Sequence, residues 1–317
     1  MERQLKADDV VEIALRHRNW GRWGTEDQLG TVNFIDSDAI MRAASLVRQG
    51  KVISCALPYD QNGPQSGTFG RVNPIHTMLQ DGGDAAIGAQ DDLDGIRYAD
   101  DAIYMPLQCG TQWDALSHIF YDGTMYNGFR QELVTSRGTP VCGVENYADK
   151  IVTRGIFLDI PIHRGVDWLE PGAPIGAEEL TACAARVGVT SGRGDIVLVR
   201  TGAIAMARAK GTWGTYAGGD APGLDLSAAE WLCENEVAGV ATDTWGMEVR
   251  PNETAEIFQP LHVVLLVNAG MLVGEIFDLE RLSQDCAEDG VYEFMFVAPP
   301  LPFTGAVGSP LNPLVIK

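Results

Sequence analysis

Hydrophobic and polar positions along the chain fall into short helical and strand-like stretches. Over residues 8–18, apolar Val10, Val11, Ile13, Ala14 and Leu15 recur at a spacing that suits a short helix. Asp36 or Ser37 can cap a second helix running to about Gln49, and residues 52–57 then read as an apolar strand. Residues 154–160 carry a buried-strand signal, residues 177–187 a helix, and residues 195–200 another strand, an order that suggests a parallel crossover unit. A second unit follows, with Ser227 capping a helix through Glu236 and residues 237–243 as its strand. A last strand is expected over 291–300. The alternation argues for the α/β class, and no repeat, linker or low-complexity run divides residues 1–317, which therefore read as one domain.

Regularity fails in three places. Residues 20–35 mix tryptophans with glycines, as an N-terminal arm over residues 1–35 would if it packed on the body or folded over a pocket or partner. Residues 58–101 show no period and many glycines and aspartates, which predicts binding loops or a lid, with His76 as a candidate for the pocket. Residues 121–129 form an aromatic and glycine loop, and Tyr121 within it can wall a pocket for a ring-shaped substrate.

Composition narrows the partners. The 317 residues are 45% hydrophobic, enough for a large core, and carry a formal charge of −20. That charge repels phosphate backbones and anionic membranes, so nucleic acid and membrane are not expected partners, whereas a small molecule is. The six cysteines contain no C-x-x-C pair and read as buried thiols, Cys109 included. The first residues lack an apolar core of the kind that directs secretion, so a cytoplasmic protein is expected.

Candidate chemistry concentrates in residues 110–120. Gln112 and Asp114 stand two apart, so in an extended segment their side chains share one face, and His118 lies four residues further on. An amide, a carboxylate and an imidazole on one point make a hard-cation site or a general acid/base site. Further along, His262 heads the apolar run 261–267 and Glu275 sits inside the apolar run 271–277. Ionisable groups in such company are expensive unless paired, and a metal would satisfy both.

The stretch from Gln108 to His118 resembles the signature of the cyclase family of metal-dependent hydrolases, which includes kynurenine formamidases and isatin hydrolases and reads His-x-Gly-Thr-His-x-Asp-x-Pro-x-His. Gly110, Thr111, Asp114 and His118 match; Gln108 and Gln112 stand at its first two histidines and Leu116 at its proline. His262, Glu275 and the turn over 304–310 resemble later parts of the same pattern. The resemblance implies a swivelling β/β/α fold, assembly as a homodimer or homotetramer, and metal ligation by Asp114, Glu275 and His262, with His118 as acid/base. With glutamines at two histidine positions, a single ion is expected, held by Gln112, Asp114, Glu275 and His262, with Mn²⁺ favoured and Zn²⁺ or Mg²⁺ possible. Gln108 then falls to the substrate side with His76 and Tyr121.

The expected activity is hydrolysis of a small cyclic amide, lactone or formamide, the ion activating water and His118 moving the proton. Dehydration or ring closure at the same site, and a metal-free binding role, are the competing readings.

Overall fold

In the computed structural model, which describes residues 5–317, a nine-stranded mixed sheet organises the chain. Its order is β1 (Val52–Ser54), β13 (Leu314–Ile316), β11 (Glu293–Val297), β5 (Val152–Asp159), β7 (Ile196–Arg200), β9 (Gly239–Thr242), β10 (Leu272–Glu275), β4 (Gln112–Asp114) and β12 (Gly308–Pro310). The four middle strands β5, β7, β9 and β10 run parallel, and every pairing outside them is antiparallel. Two smaller sheets accompany it: the antiparallel pair β2 (Ile75–Gln80) and β3 (Asp100–Tyr104), and the parallel pair β6 (Pro174–Ile175) and β8 (Gly223–Leu224). The helices are α1 (Ala7–Arg16), α2 (Ser37–Ala44), α3 (Gly82–Ala86), α4 (Ile160–Arg164), α5 (Ala177–Val187), α6 (Ala203–Lys210), α7 (Leu226–Glu234), α8 (Pro260–His262) and α9 (Glu280–Asp289). The α/β class is as expected. None of the described helices is long and apolar enough to cross a membrane.

The middle strands are covered on both faces, and their polar residues fall mainly toward the strand ends: Asp159 ends β5, Arg200 β7, Thr242 β9 and Glu275 β10. All five residues of β7 and all four of β9 and of β10 are buried, so the runs Ile196–Val199, Gly239–Ala241 and Leu272–Gly274 carry no alternating polar side, and a polar group appears only at each strand's last position. The expected crossover β5–α5–β7 and the following unit α7–β9 are both present, in parallel register. Two buried carboxylates tie the loops at the C-terminal edge of these strands. Asp159 accepts from Arg200 Nη1 at 3.0 Å and from Ser283 Oγ at 2.5 Å. Asp243 accepts from Thr201 N at 2.6 Å, Thr201 Oγ1 at 2.8 Å and Gly202 N at 2.8 Å, joining the turn after β7 to the turn after β9. Loops that carry functional groups at this edge are thereby fixed to one another.

Several expected boundaries move. The second helix stops at Ala44, well short of Gln49, and Asp36 rather than Ser37 caps it, accepting from Ala39 N at 2.8 Å. The helix after β8 is capped by Asp225, which accepts from Ala228 N; Ser227 instead donates to Asp225 and accepts from Ala177 N, stitching α7 to α5. The strand expected over 52–57 pairs only to Ser54, with Ala56 bridging Phe277. Residues 58–101 are not irregular throughout: they contain β2, α3 and the start of β3. Both faces of that pair are exposed, so no buried side imposed the alternation by which a strand is recognised.

The arm packs on its own chain, with residues 1–4 lying outside the described residues. Trp20 Nε1 donates to Val267 O at 2.8 Å, Thr31 Oγ1 to Ala238 O at 2.8 Å, and Arg18 Nε to Asn268 Oδ1 at 2.8 Å. Gly30, at φ +58°, is where only glycine fits, because a Cβ there would meet Gly270 O at 1.9 Å.

Gly274 sets how closely β4, β9 and β10 stack. A Cβ there would lie 2.4 Å from the Trp113 ring and 2.7 Å from Ala241 Cβ, inside a layer with no room to relax. Gly274→Ala is expected to lower stability by about 1–3 kcal/mol through overpacking, read as a fall in the urea midpoint at unchanged slope; an unchanged midpoint would contradict the close-packed layer.

Candidate metal centre

β4 and β10 place the first three polar side chains by register. Glu275 pairs directly with Gln112, and Val273 with Asp114, so Gln112, Asp114 and Glu275 share one face of the sheet. All three are buried. Gln112 Nε2 donates to Glu275 Oε2 at 2.9 Å and lies 3.3 Å from Asp114 Oδ1, so the amide spans the two carboxylates.

His262 enters from the other side. It ends α8, where the chain passes into a π-helix over Val263–Ala269, and is 1% exposed. Its Nε2 lies 3.3 Å from Glu275 Oε1 and 4.0 Å from Asp114 Oδ2. Its Nδ1 lies 2.5 Å from Oε1 of Glu248, whose Oε2 accepts from Leu261 N at 3.0 Å. Glu248 thus fixes both the start of α8 and the ring, leaving Nε2 turned toward the two carboxylates, the arrangement by which a carboxylate orients a metal-binding imidazole. One ligand atom each from Asp114, His262 and Glu275 lies within 4.8 Å of the others.

The electrostatics are those of a site short of positive charge. Asp114, Glu248 and Glu275 are all buried, with His262 the one basic group among the described residues within 4.0 Å of all three. Burial alone would lower the His262 imidazole, yet Glu248 and Glu275 raise it to about 10. Burial, with the Asp114 carboxylate beside it, pushes Glu275 upward. Asp114 Oδ2 and Gln112 Oε1 are buried without a hydrogen-bond partner among the described residues. An unpartnered carboxylate oxygen facing an imidazole nitrogen and a second carboxylate is what a divalent cation would satisfy, so the residues present fit a metal.

His118 stands at the edge of this cluster, its Nε2 3.9 Å from Asp114 Oδ1 and its side chain 18% exposed. Burial lowers its pKa below the ordinary value, against the opposing pull of Asp114. Gln108 lies beside Asp114 through β12: its Nε2 is buried and unpartnered, and a Cβ on Gly308, which pairs with Asp114, would meet it at 2.6 Å. Gln112 presents its amide nitrogen to the carboxylates, so ligation through Oε1 would need the amide to turn over.

The remaining candidates lie elsewhere. His76 pairs with Asp101 at 2.7 Å on the exposed β2–β3 hairpin. Tyr121 borders an open cleft of about 270 Å³ with Trp20, Val267 and Asn268, none of them in the cluster. Cys109 is buried, and burial raises its thiol to about 11, which suits packing rather than nucleophilic attack. Glu248 was not anticipated from the sequence, although it sits between Met247 and Val249 and carries the same burial cost that singled out His262 and Glu275.

If carboxylate crowding dominates the cation-free protein, removing one charge should relieve it. Asp114→Asn is expected to raise the melting temperature of protein stripped of divalent cations by scanning calorimetry, whereas a fall would mean that Asp114 stabilises the fold through pairing with His262.

Comparison with known proteins gives the chain its relatives. The Cyclase family model, described as "Putative cyclase", matches residues 35–249, more than half of the 317 and inclusive of Asp114, His118 and Glu248. A crystal structure described as a novel cyclase is 37% identical, covering 96% of this chain and 99% of its own, with a TM-score of 0.86. Isatin hydrolase A from Labrenzia aggregata, bound to benzyl benzoate, shares the fold at 20% identity, covering 87% of this chain and 96% of its own, with a TM-score of 0.60. A predicted metal-dependent hydrolase from Bacillus stearothermophilus is 18% identical over 84% of this chain and 97% of its own, with a TM-score of 0.51. None of the curated proteins is similar in sequence to this chain. By the extent of the model match and the near-complete coverage of the 37% identical structure, the chain belongs to the Cyclase family.

Proposed function

We propose that the protein is a metal-dependent hydrolase of a small amide or ester, namely a cyclic amide, lactone or formamide, with one divalent cation per subunit held by Asp114, His262 and Glu275. The convergence of these three groups within 4.8 Å, one carboxylate oxygen lacking a hydrogen-bond partner among the described residues, carries the reading. The isatin hydrolase and the metal-dependent hydrolase among the fold relatives support it. Two carboxylates to one imidazole make a hard, oxygen-rich donor set, which favours Mn²⁺ and leaves Zn²⁺ or Mg²⁺ possible. When bound, the cation supplies Lewis acidity toward a carbonyl and toward water.

The chain's own residues do the rest. Glu248 holds His262 by Nδ1 and so keeps Nε2 directed inward. Gln112 holds the Asp114 and Glu275 carboxylates in register. His118, partly open and kept toward its neutral form by burial, takes a proton from water at its imidazole nitrogen and returns it to the leaving nitrogen or oxygen. Gln108, with a buried and unpartnered amide nitrogen beside Asp114, is placed to donate to a substrate carbonyl.

Elemental analysis of protein purified without added metal should return about one equivalent of cation per subunit, lost in Asp114→Ala. His118→Ala should keep the cation while turnover falls about 10²–10⁴-fold. Retention of metal and turnover in Asp114→Ala would sink the scheme. In ¹⁸O water a hydrolase places solvent oxygen in the new carboxylate; its absence there would favour dehydration or ring closure.

Assembly as a homodimer or homotetramer belongs to the same reading. Its support is the β2–β3 hairpin, whose Ile75, Leu79, Ile103 and Tyr104 are at least half exposed and which is marginal without a covering surface. Light scattering should give two or four times the 34.2 kDa chain mass; a 34.2 kDa particle would refute it.

A further inference from the structure

Two arginine guanidiniums beside an aromatic cluster next to the metal centre make no hydrogen bond or ion pair among the described residues. The segment after β1 lies against β4: Leu57 N donates to Thr111 Oγ1 at 2.9 Å, Gln65 Nε2 to Cys109 O at 2.9 Å, and the Tyr59 hydroxyl to Thr111 O. This path brings Phe69 to 5.8 Å from Trp245 and 6.1 Å from Phe258, ring centre to ring centre. Trp245 precedes Glu248 by three residues and Phe258 precedes His262 by four, so the aromatic cluster adjoins the groups that hold the imidazole. Phe69 is 60% exposed and Phe258 56%, over a buried Trp245.

Each arginine rests on these rings. The Arg71 guanidinium lies 5.6 Å from the Phe69 ring and has no hydrogen-bond or ion-pair partner among the described residues. The Arg250 guanidinium lies 4.5 Å from Phe258 and 5.2 Å from Trp245, and its Nε and Nη1 are buried with no acceptor. Buried donors on a permanently charged group are costly to leave unmade. Phe69 and Gln259 hold left-handed backbone at φ +58° and +56°, a strain found where a ligand clamp is kept in shape.

We propose that Arg71 and Arg250 bind a carboxylate of the substrate while Phe69, Trp245 and Phe258 stack its ring, so that the substrate class is a planar aromatic or heterocyclic acid rather than a neutral ring. A guanidinium fork matches a carboxylate, and the aromatic faces accept a planar body beside it. The carboxylate supplies the acceptor that Arg250 lacks, and the reacting amide or ester is then a separate group on the same molecule. This assignment rests on the hydrolase reading for the identity of the reacting bond, but not for the anion.

The test uses the full chain as purified, with Mn²⁺ added and metal content measured, and titrates benzoate against its neutral counterpart benzamide by calorimetry. Benzoate is expected to bind about tenfold or more tightly than benzamide, and Arg71→Ala and Arg250→Gln are each expected to remove that preference at unchanged metal content. Equal affinities for the wild type, or a preference surviving in both variants, would overturn the proposal. Loss in only one variant would confine the anion to that guanidinium and overturn the paired clamp. A wild type that takes up no metal yet prefers benzoate would leave the carboxylate site standing and remove the hydrolase reading, so the two fail separately.

Discussion

The contact between His262 and its carboxylates is the constraint to which the rest of the centre answers. A buried imidazole held by Glu248 on one nitrogen and faced by Asp114 and Glu275 on the other stands among more negative charge than it can balance. In the cation-free protein the ring answers by holding a proton, and Glu275 by a raised pKa. Asp114 Oδ2 is buried beside them with no hydrogen-bond partner among the described residues. Such a cluster does not assemble for stability, because hydrophobic groups of the same volume would pack there without the desolvation penalty. Its retention argues for an occupant.

The fold accommodates that cluster by making its supports rigid. The β4–β10 register fixes three side chains on one face, and the packing of Trp113, Ala241 and Phe277 around Gly274 leaves those strands no freedom to slide. Asp243 joins the neighbouring loops, and a π-helical segment follows His262. Four of the nine described non-glycine residues with positive φ, namely Phe69, Met247, Gln259 and Ile276, flank the site residues or the aromatic cluster. Strain gathers where side chains must be aimed, and the buried parallel strands absorb its cost.

The parallel core was legible in the sequence because covered strands need an unbroken apolar middle and their connecting helices a period; residues 156–158 and 196–199 met the first demand and residues 177–187 the second. His262 and Glu275 were legible for a related reason, since an ionisable group in an apolar run announces its own cost, whereas Asp114 was legible through its two-residue spacing from Gln112. Glu248 escaped notice because only the fold brings it to His262, fourteen residues on. The caps shifted between candidates one or two residues apart, as Asp36 and Asp225 took roles that Ser37 and Ser227 could equally have filled. The β2–β3 hairpin was hidden because a strand exposed on both faces obeys no burial rule. Arg71 and Arg250 gave no signal either, because an arginine without a partner is recognised only once its surroundings are known.

An anionic substrate and a chain of formal charge −20 are at odds at long range. The repulsion acts through solvent and is screened within about 8–10 Å at physiological salt. The attraction proposed for Arg71 and Arg250 acts at contact, where the aromatic faces of Phe69 and Phe258 hold the guanidiniums in place. The acidic surface therefore slows encounter more than it weakens the bound state, and added salt should favour association until it begins to compete for the guanidiniums themselves. The same surface draws divalent cations toward the carboxylates of the centre. On the proposed reading, an excess of negative charge outside and the guanidiniums of Arg71 and Arg250 inside would divide the work, the first concentrating a divalent cation and the second selecting an acid that the cation alone would not discriminate.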